Sequence, residues 1–390
     1  MAYRKFKADK LFTGFELLEE EQVLVTNEKG IVQAIIPASA AGDDVEVFKG
    51  ILSPGFINCH CHLELSHLKD LIPPHTGLIE FLCSVVTKRD FDREVILSAV
   101  EKAEKEMYDN GIVAVGDIGN TADTLSVKSR SAIYWQNFIE VLSFTDAKAE
   151  ENIAHYKEVL SAFTHTSHLA PHTSSLVPHA PYSISPKTFE LINETTKGQV
   201  ISIHNQEHPA EDDLYKTGGG DYLRLFKIFG VDQSPFPVTG KSSLRSVLPH
   251  FNNGQTILLV HNTNTSEEDI VWATNYAAEN NISLVWCLCP NANLYIENKM
   301  PPVELFMKYG CPLVLGTDSY SSNWQLSIVK EVAAIHERLP KISLETILQW
   351  ATINGAKALD ISGRYGSFEK GKQPGVVLIE EDLPGARRLL

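Results

Sequence analysis

A short apolar run, a turn and a helix-like stretch recur eight times along this chain, and that recurrence limits its fold more than any other feature. The runs are "GILSPGFINCH" from residue 50, "GIVAVGDIGN" from 111, "AIYWQNFIEVL" from 132 and "SSLVPHAPYS" from 174. They continue with "QVISIHNQE" from 199, "TILLVHN" from 256, "ISLVWCLCP" from 282 and "PLVLGTDS" from 312. Most are β-branched and continuously apolar, as strands buried on both faces of a parallel sheet are. Between them, 91–111 has apolar residues at helical spacing and a glycine stop, 264–281 opens on Ser/Thr and acidic residues before an apolar stripe, and 343–359 is similar. Such alternation predicts an α/β chain with a closed (β/α)8 TIM barrel over residues 53–360. The alternative is an open doubly wound sheet, but no Gly-x-Gly-x-x-Gly follows the first strand.

The two ends differ from the middle. Residues 1–52 read as short alternating strands with "NEKG" as a turn, and the segment 361–390 contains "GSFEKGKQPGVVLIEEDL" (366–383), which reads as another strand pair. Together they predict a small β-sandwich domain beside the barrel.

Charge and cysteine usage narrow the partners. A net charge of −15 argues against a nucleic-acid backbone or an anionic membrane as the main partner. The first residues lack the apolar stretch of a signal peptide, and no run approaches the ~18 apolar residues that cross a bilayer. Six cysteines are too few for a disulfide scaffold. The expectation is a cytoplasmic protein acting on a small molecule, without nucleic acid or membrane, with a homodimer left open.

The chemistry-bearing residues sit at the carboxyl ends of the runs, the face where barrel enzymes hold their active sites. His60 and His62 close the first, His179 the fourth, and His204 the fifth, with Glu207 three residues on; His261 closes the sixth and Asp318 the eighth. In "NCHCHLEL" (58–65), strand alternation puts His60 and His62 on one face and Cys59 and Cys61 on the other, toward the helices. A rival arrangement joins Cys59 and Cys61 to Cys287 and Cys289 in a tetrathiolate zinc site. Structural zinc sites favour Cys-x2–4-Cys from turns, which fits two Cys-x-Cys pairs inside buried strands poorly. A single strand-end histidine would be an ordinary polar residue satisfied by a neighbour. Five of them, at the ends of four strands, with a glutamate and an aspartate at matching positions point to a metal. Three imidazoles and a carboxylate leave an open position on a zinc-like ion, which brings the pKa of a bound water down to roughly 7.

On these pieces the sequence resembles the amidohydrolase superfamily along essentially its full length. The matching segments are "SPGFINCHCH" for Pro-Gly-Phe-x-Asn-x-His-x-His, "HNQE" for His-x-x-Glu, "VHN" for the sixth-strand histidine and "LGTDS" for the eighth-strand aspartate. Binuclear members bridge two metals with a carboxylated lysine on the fourth strand. Here that strand reads "LVPHAPYSIS", and the first lysine, Lys187, lies beyond it. The resemblance is therefore to the single-metal aminohydrolase branch. It implies one divalent metal, zinc with iron as the alternative, on His60, His62, His204 and Asp318. It further implies that Asp318 takes a proton from the attacking water, Glu207 protonates the ring nitrogen, and His261 polarises the water and stabilises the tetrahedral intermediate.

Substrate signals follow from the same resemblance. "PHAPYSIS" is similar to the His-Ala-Pro-Tyr-Thr segment of deaminases acting on 5′-substituted adenosines, which implies that His179 contacts substrate. "CHLELSHL", "CPNANLYIE" and "LGTDSYSSN" most resemble the aminodeoxyfutalosine deaminases of menaquinone biosynthesis. That implies a 6-aminopurine nucleoside bearing a carboxyphenyl ketone on its 5′ side. Glu64 is expected to hydrogen-bond a ribose hydroxyl. Among Lys88, Arg89 and Arg93, Arg89 is nominated for the substrate carboxylate. The chain departs from the branch at Pro290-Asn291-Ala292-Asn293, where Pro-x-Ser-Asn is commoner, and at Tyr320-Ser321-Ser322, where Leu-Ala-Ser is commoner. S-Adenosylhomocysteine, methylthioadenosine, guanine or a triazine are the alternative substrates on this scaffold. A metal-free scaffold protein is the alternative of another class.

Overall fold

The computed structural model describes residues 3–19, 21–165 and 172–390. All eight apolar runs contain strands: β1 (Phe56–Cys61), β2 (Ile112–Gly119), β3 (Tyr134–Val141), β4 (His172–Pro178), β5 (Val200–Asn205), β6 (Thr256–His261), β7 (Ser283–Leu288) and β8 (Leu313–Leu315). They form two parallel four-stranded sheets, ordered β4-β3-β2-β1 and β5-β6-β7-β8. The fold is thus mixed α/β with parallel sheets.

The sheets touch at both edges. Beside β4, the His204 N–H donates to the His179 carbonyl at 3.0 Å. Beside β1, the Thr317 and Asp318 N–H groups both donate to the His60 carbonyl at 3.0 Å. Asn58 reinforces this second seam, its Oδ1 accepting from Thr317 N at 3.0 Å and its Nδ2 donating to Thr317 Oγ1 at 2.8 Å.

Helices cover the strands much as the periodicity predicts, at Arg93–Asp109 and Glu267–Glu279. The stretch 343–359 differs, being two helices, Leu344–Ala351 and Ile353–Ala358, broken at Thr352 with φ −134° and ψ −92°. The second of these lies directly on β1. A Cβ on Gly355 would fall 2.7 Å from Ile57 Cβ and 3.0 Å from Cys59 Sγ, so only glycine permits the approach. Cys59 therefore faces the helices, as strand alternation requires.

The terminal segments form two further sheets. One joins Tyr3–Lys7, Gln22–Asn27, Val32–Pro37 and Val45–Val47; the other joins Lys10–Phe12, Leu17–Leu18, Ile51–Ser53, Val377–Ile379 and Ala386–Arg388. Phe6, Leu11, Leu24, Leu52, Phe368 and Leu378 share a separate buried cluster here. The first apolar run is consequently divided: Ile51–Ser53 pairs with Val377–Ile379, and β1 begins only after Pro54-Gly55. Proline lacks the N–H a central strand needs, so it marks the break. The tail pair also extends past its expected end at 383. Asp382 and Leu383 are left-handed (φ 62° and 61°) and make the turn, so the last strand is Ala386–Arg388. Among the described residues no helix is long and apolar enough to cross a membrane.

A buried ion pair anchors the mouth of the first sheet. Asp117 Oδ1 on β2 accepts from Leu63 N at 2.8 Å, and its Oδ2 lies 2.5 Å from Lys128 Nζ. Lys128 also donates to Asn137 Oδ1 on β3 at 2.8 Å. Taking these charges out of water costs several kcal/mol per ion unless both are paired and hydrogen-bonded, which they are. The turn after His62 is thereby tied to two neighbouring strands.

Gly316 gives a direct test of the seam between β1 and β8. A Cβ there would sit 2.7 Å from His60 Cβ and 3.0 Å from the His60 backbone N and O. Gly316→Ala should cost about 1–3 kcal/mol, the scale of overpacking, and weaken metal retention. Thermal unfolding with metal analysis checks it, and a variant as stable and as fully loaded as the parent would show that the approach is not limiting.

Candidate metal centre and catalytic site

Four strand ends converge on one point. His62 Nε2 and His204 Nε2 are 3.2 Å apart, and His60 Nε2 and His62 Nε2 lie 3.4 and 3.6 Å from Asp318 Oδ1. The His204 Nδ1–H donates to the His179 carbonyl at 2.7 Å, which leaves a lone pair on Nε2 facing His62. His60 has both ring nitrogens buried without a hydrogen-bond partner. Burial lowers the pKa of His60, His62 and His204, and the neighbouring imidazoles add to this for His60 and His62. These are neutral, lone-pair-bearing donors around a carboxylate, which is the donor set a divalent cation takes.

Asp318 is built to stay ionised. Burial works against its charge, but His62, His261 and the Ser322 hydroxyl outweigh it and hold the carboxyl below its usual range. Ser322 Oγ donates to Asp318 Oδ2 at 2.5 Å, leaving Oδ1 toward the histidines. Asp318 and His261 both adopt left-handed backbone (φ 57° and 73°), an uncommon state for non-glycine residues that local hydrogen bonds must hold. Asn262 supplies them at β6, its N–H donating to the Asn205 carbonyl at 3.0 Å and its side chain to the Leu259 carbonyl at 2.7 Å.

Glu207 faces His261 across the same space, with Oε2 3.6 Å from Nε2. The other His261 nitrogen, Nδ1, lies 3.3 Å from Asn293 Nδ2, within the segment that departs from the branch's commoner pattern. Burial, then the charges of Asp318, Glu211 and Glu297, push the Glu207 carboxyl well above its ordinary value. It therefore holds its proton to higher pH than an ordinary glutamate does. Glu211 fixes the loop beneath it by accepting from Gln206 N at 2.9 Å.

Of these groups, His62, His204, Glu207, His261 and Asp318 line a cavity of roughly 300 Å³. One wall is apolar, formed by Leu78, Phe81, Leu82, Val85, Phe144 and Phe229. His179 lies on another side, its Nδ1 2.8 Å from Ser183 Oγ. Glu64 and Arg89 also line the cavity but are engaged with each other: Arg89 Nη2 donates to Glu64 Oε1 at 3.1 Å. Glu64 Oε2 accepts from Asn120 N at 3.0 Å, Thr121 N at 3.3 Å and Thr121 Oγ1 at 3.2 Å. The cysteines of "NCHCH" and "WCLCP" are buried and free, and no candidate metal-binding group among the described residues includes one.

Sequence reasoning overlooked Glu140, which ends β3 in the cavity wall within 4.0 Å of both His179 Nε2 and His204 Nδ1. Its signal was available: it is the lone acid at the carboxyl end of "NFIEVL", the same cue that marked the histidines. Asn120 carried no comparable cue, since asparagine is ordinary in loops, whereas Asn293 and Ser322 lay in segments already set against the branch's commoner pattern.

A family profile described as "Amidohydrolase family" matches residues 51–387. The chain is 26% identical to the 5-methylthioadenosine/S-adenosylhomocysteine deaminase of Teredinibacter turnerae, across 93% of this chain and 80% of that protein. It is 28% identical to the aminodeoxyfutalosine deaminase of Nitratiruptor sp., across 86% of this chain and 79% of that protein. An adenosine deaminase from Xanthomonas campestris, solved with bound zinc, shares the fold with a TM-score of 0.73 at 20% identity, covering 96% of this chain and 84% of that one.

The ligand geometry predicts a graded response in metal retention. Asp318→Asn should lose most of its metal after purification without chelator. Ser322→Ala should keep the site but weaken affinity by about 10–100-fold, the usual effect of removing a ligand's outer partner. Mass-spectrometric metal analysis reads both, and a fully loaded Asp318→Asn would remove that residue from the ligand set.

Proposed function

The chain belongs to the amidohydrolase family, hydrolases that act on C–N bonds, and from that premise we propose that it deaminates a 6-aminopurine nucleoside substituted at the 5′ position. The observation that carries this is the pairing of a proton-bearing Glu207 with His261 beside three neutral histidines and Asp318, inside one cavity with an apolar wall. Support also comes from the two curated relatives, whose names describe deaminases of such nucleosides. We read the two parallel sheets as halves of one closed (β/α)8 barrel over 53–360, and the terminal sheets (1–52 and 361–390) as a small β-sandwich. Hydrogen bonds at both seams favour that closure.

His60, His62, His204 and Asp318 would hold the metal, with zinc preferred and iron as the alternative. When bound, such a cation supplies hydroxide at neutral pH by lowering the pKa of water. The protein's own groups do the rest. An aromatic C–NH2 carbon is a poor electrophile, so Glu207 protonates the adjacent ring nitrogen and draws electron density from it. His261, held against Asn293, orients the attacking water, and Asp318 Oδ1 accepts its proton. Return of that proton to the amine lets ammonia leave, and the hydroxyl left on the carbon gives its proton back to Glu207 as the 6-oxo group forms.

For the 5′ substituent the leading candidate is aminodeoxyfutalosine. Phe81, Phe144 and Phe229 offer an aromatic wall for its carboxyphenyl group. Arg89 lies at the cavity edge, about one-third exposed, where a carboxylate could reach it. Methylthioadenosine or S-adenosylhomocysteine is the second reading, favoured by the Teredinibacter relative.

A deamination screen should show turnover of 5′-substituted adenosines, read as loss of adenine absorbance with ammonia release. A strong rate on guanine or cytosine with none on adenosine nucleosides would overturn the proposal. Glu207→Gln should keep its metal but lose about 10²–10⁴-fold in turnover, the usual worth of a positioned acid. Because the protonated carboxyl is the active form and its pKa is raised, kcat/KM should persist to higher pH than an ordinary glutamate would allow and fall as pH rises through that pKa. An unchanged alkaline limb in the variant would remove Glu207 as the donor.

A further inference from the structure

Glu140 has a buried carboxyl oxygen that no protein group uses. Its Oε1 lies in the interior without a hydrogen-bond partner, and the side chain forms part of the cavity wall. The separations of 3.9 Å to His179 Nε2 and 4.0 Å to His204 Nδ1 are too long for hydrogen bonds. Nor do those rings need Glu140 for orientation. His179 is fixed through Nδ1 to Ser183, and His204 through Nδ1 to the His179 carbonyl. An unpaired buried acceptor is costly and calls for an explanation.

Its neighbours indicate what fits there. Asn120 joins Glu140 to Glu64: its Nδ2 lies 3.5 Å from Glu140 Oε2, and its backbone N–H donates to Glu64 Oε2 at 3.0 Å. The nearby donors Arg89 and Thr121 are engaged on Glu64. This corner of the cavity therefore holds two carboxyl groups side by side; burial and then the charge of Glu64 push the Glu140 carboxyl up to about 8, so it keeps a proton near neutrality while its free oxygen can still accept. Glu140 has the larger share of unused acceptor capacity, with Oε1 free, whereas Glu64 already accepts four hydrogen bonds. A ligand that fits presents two adjacent O–H donors and no negative charge.

We propose that Glu140 is a substrate-binding residue which, together with Glu64, accepts hydrogen bonds from the neighbouring hydroxyls of a ribose, making the cavity selective for ribonucleosides over deoxyribonucleosides. This rests on the nucleoside deaminase reading and extends it by moving the main sugar contact from Glu64 to a residue on β3. It also gives the cavity a polarity, with the sugar's diol toward β2 and β3 and the 5′ substituent toward the apolar wall.

The test compares kcat/KM for a 5′-substituted adenosine with its 2′-deoxy and 3′-deoxy analogues, in the parent enzyme, Glu140→Ala and the isosteric Glu140→Gln. The parent should prefer the ribonucleoside over at least one analogue by about tenfold, the upper end of what one buried hydrogen bond contributes. Glu140→Ala should lose activity on the ribonucleoside by a similar factor, change little on that analogue, and retain its metal. Glu140→Gln, which keeps an acceptor oxygen, should fall between. Equal proportional losses on all three substrates, or loss of metal with loss of rate, would overturn the proposal and make Glu140 a support for His179 or His204. A parent enzyme that deaminates nucleosides without regard to sugar hydroxyls would overturn this inference alone. Failure of the parent on every adenosine nucleoside would instead overturn the underlying function.

Discussion

One backbone carbonyl joins the two ends of the catalytic machinery. The oxygen of His60 accepts N–H groups from both Thr317 and Asp318, and Asn58 clamps Thr317 from the other side across 259 residues of chain. The first and eighth strands therefore meet in a fixed register at the point where each contributes a side chain to the proposed metal site. Gly316 permits the approach, because any Cβ there would strike His60. If this seam opened, His60 and Asp318 would separate, and the remaining histidines would no longer have a carboxylate facing them.

Burial then sets the chemical character of what the seam gathers. With water excluded, histidines stay neutral and glutamates keep their protons unless a partner intervenes. His60, His62, His204 and His261 are all held neutral in this way. The carboxyl groups diverge according to their partners. Asp318 has Ser322 and a ring of imidazoles and remains charged, while Glu207 has three acidic neighbours and remains protonated. One enclosed space thus contains both a base and an acid at the same pH, which the hydrolysis of an aromatic amine requires.

The substrate side of the cavity follows a different rule, set by which hydrogen-bonding capacity is already used. Glu64 and Arg89 are each individually plausible contacts for a ligand, yet they neutralise one another, and the loop of Asn120 and Thr121 surrounds Glu64 with donors. Glu140 is left as the acceptor with an open position. The two segments in which the chain departs from its branch, at Ala292 and at Tyr320-Ser321, also take structural parts. Asn293 faces His261, and Tyr320 donates to Glu106 on the helix Arg93–Asp109, tying the loop after Asp318 to that helix.

The sequence by itself determined the eight strands, the face on which His60 and His62 lie and the gathering of histidines, a glutamate and an aspartate at the strand ends. These follow from the two-residue period of a strand and from strong local signals: β-branched runs, His-x-His and His-x-x-Glu. It placed Cys59 correctly toward the helices for the same reason. It could not show that Pro54 splits the first run, that Thr352 breaks a helix, or that the last strand begins beyond residue 383, since each boundary depends on what packs alongside. Nor could it show that Arg89 turns to Glu64 rather than to open space, or that Glu140 stands between His179 and His204. Alternation decides which way a side chain leaves its strand, but the partner it meets comes from another strand or loop, and only the tertiary structure brings the two together.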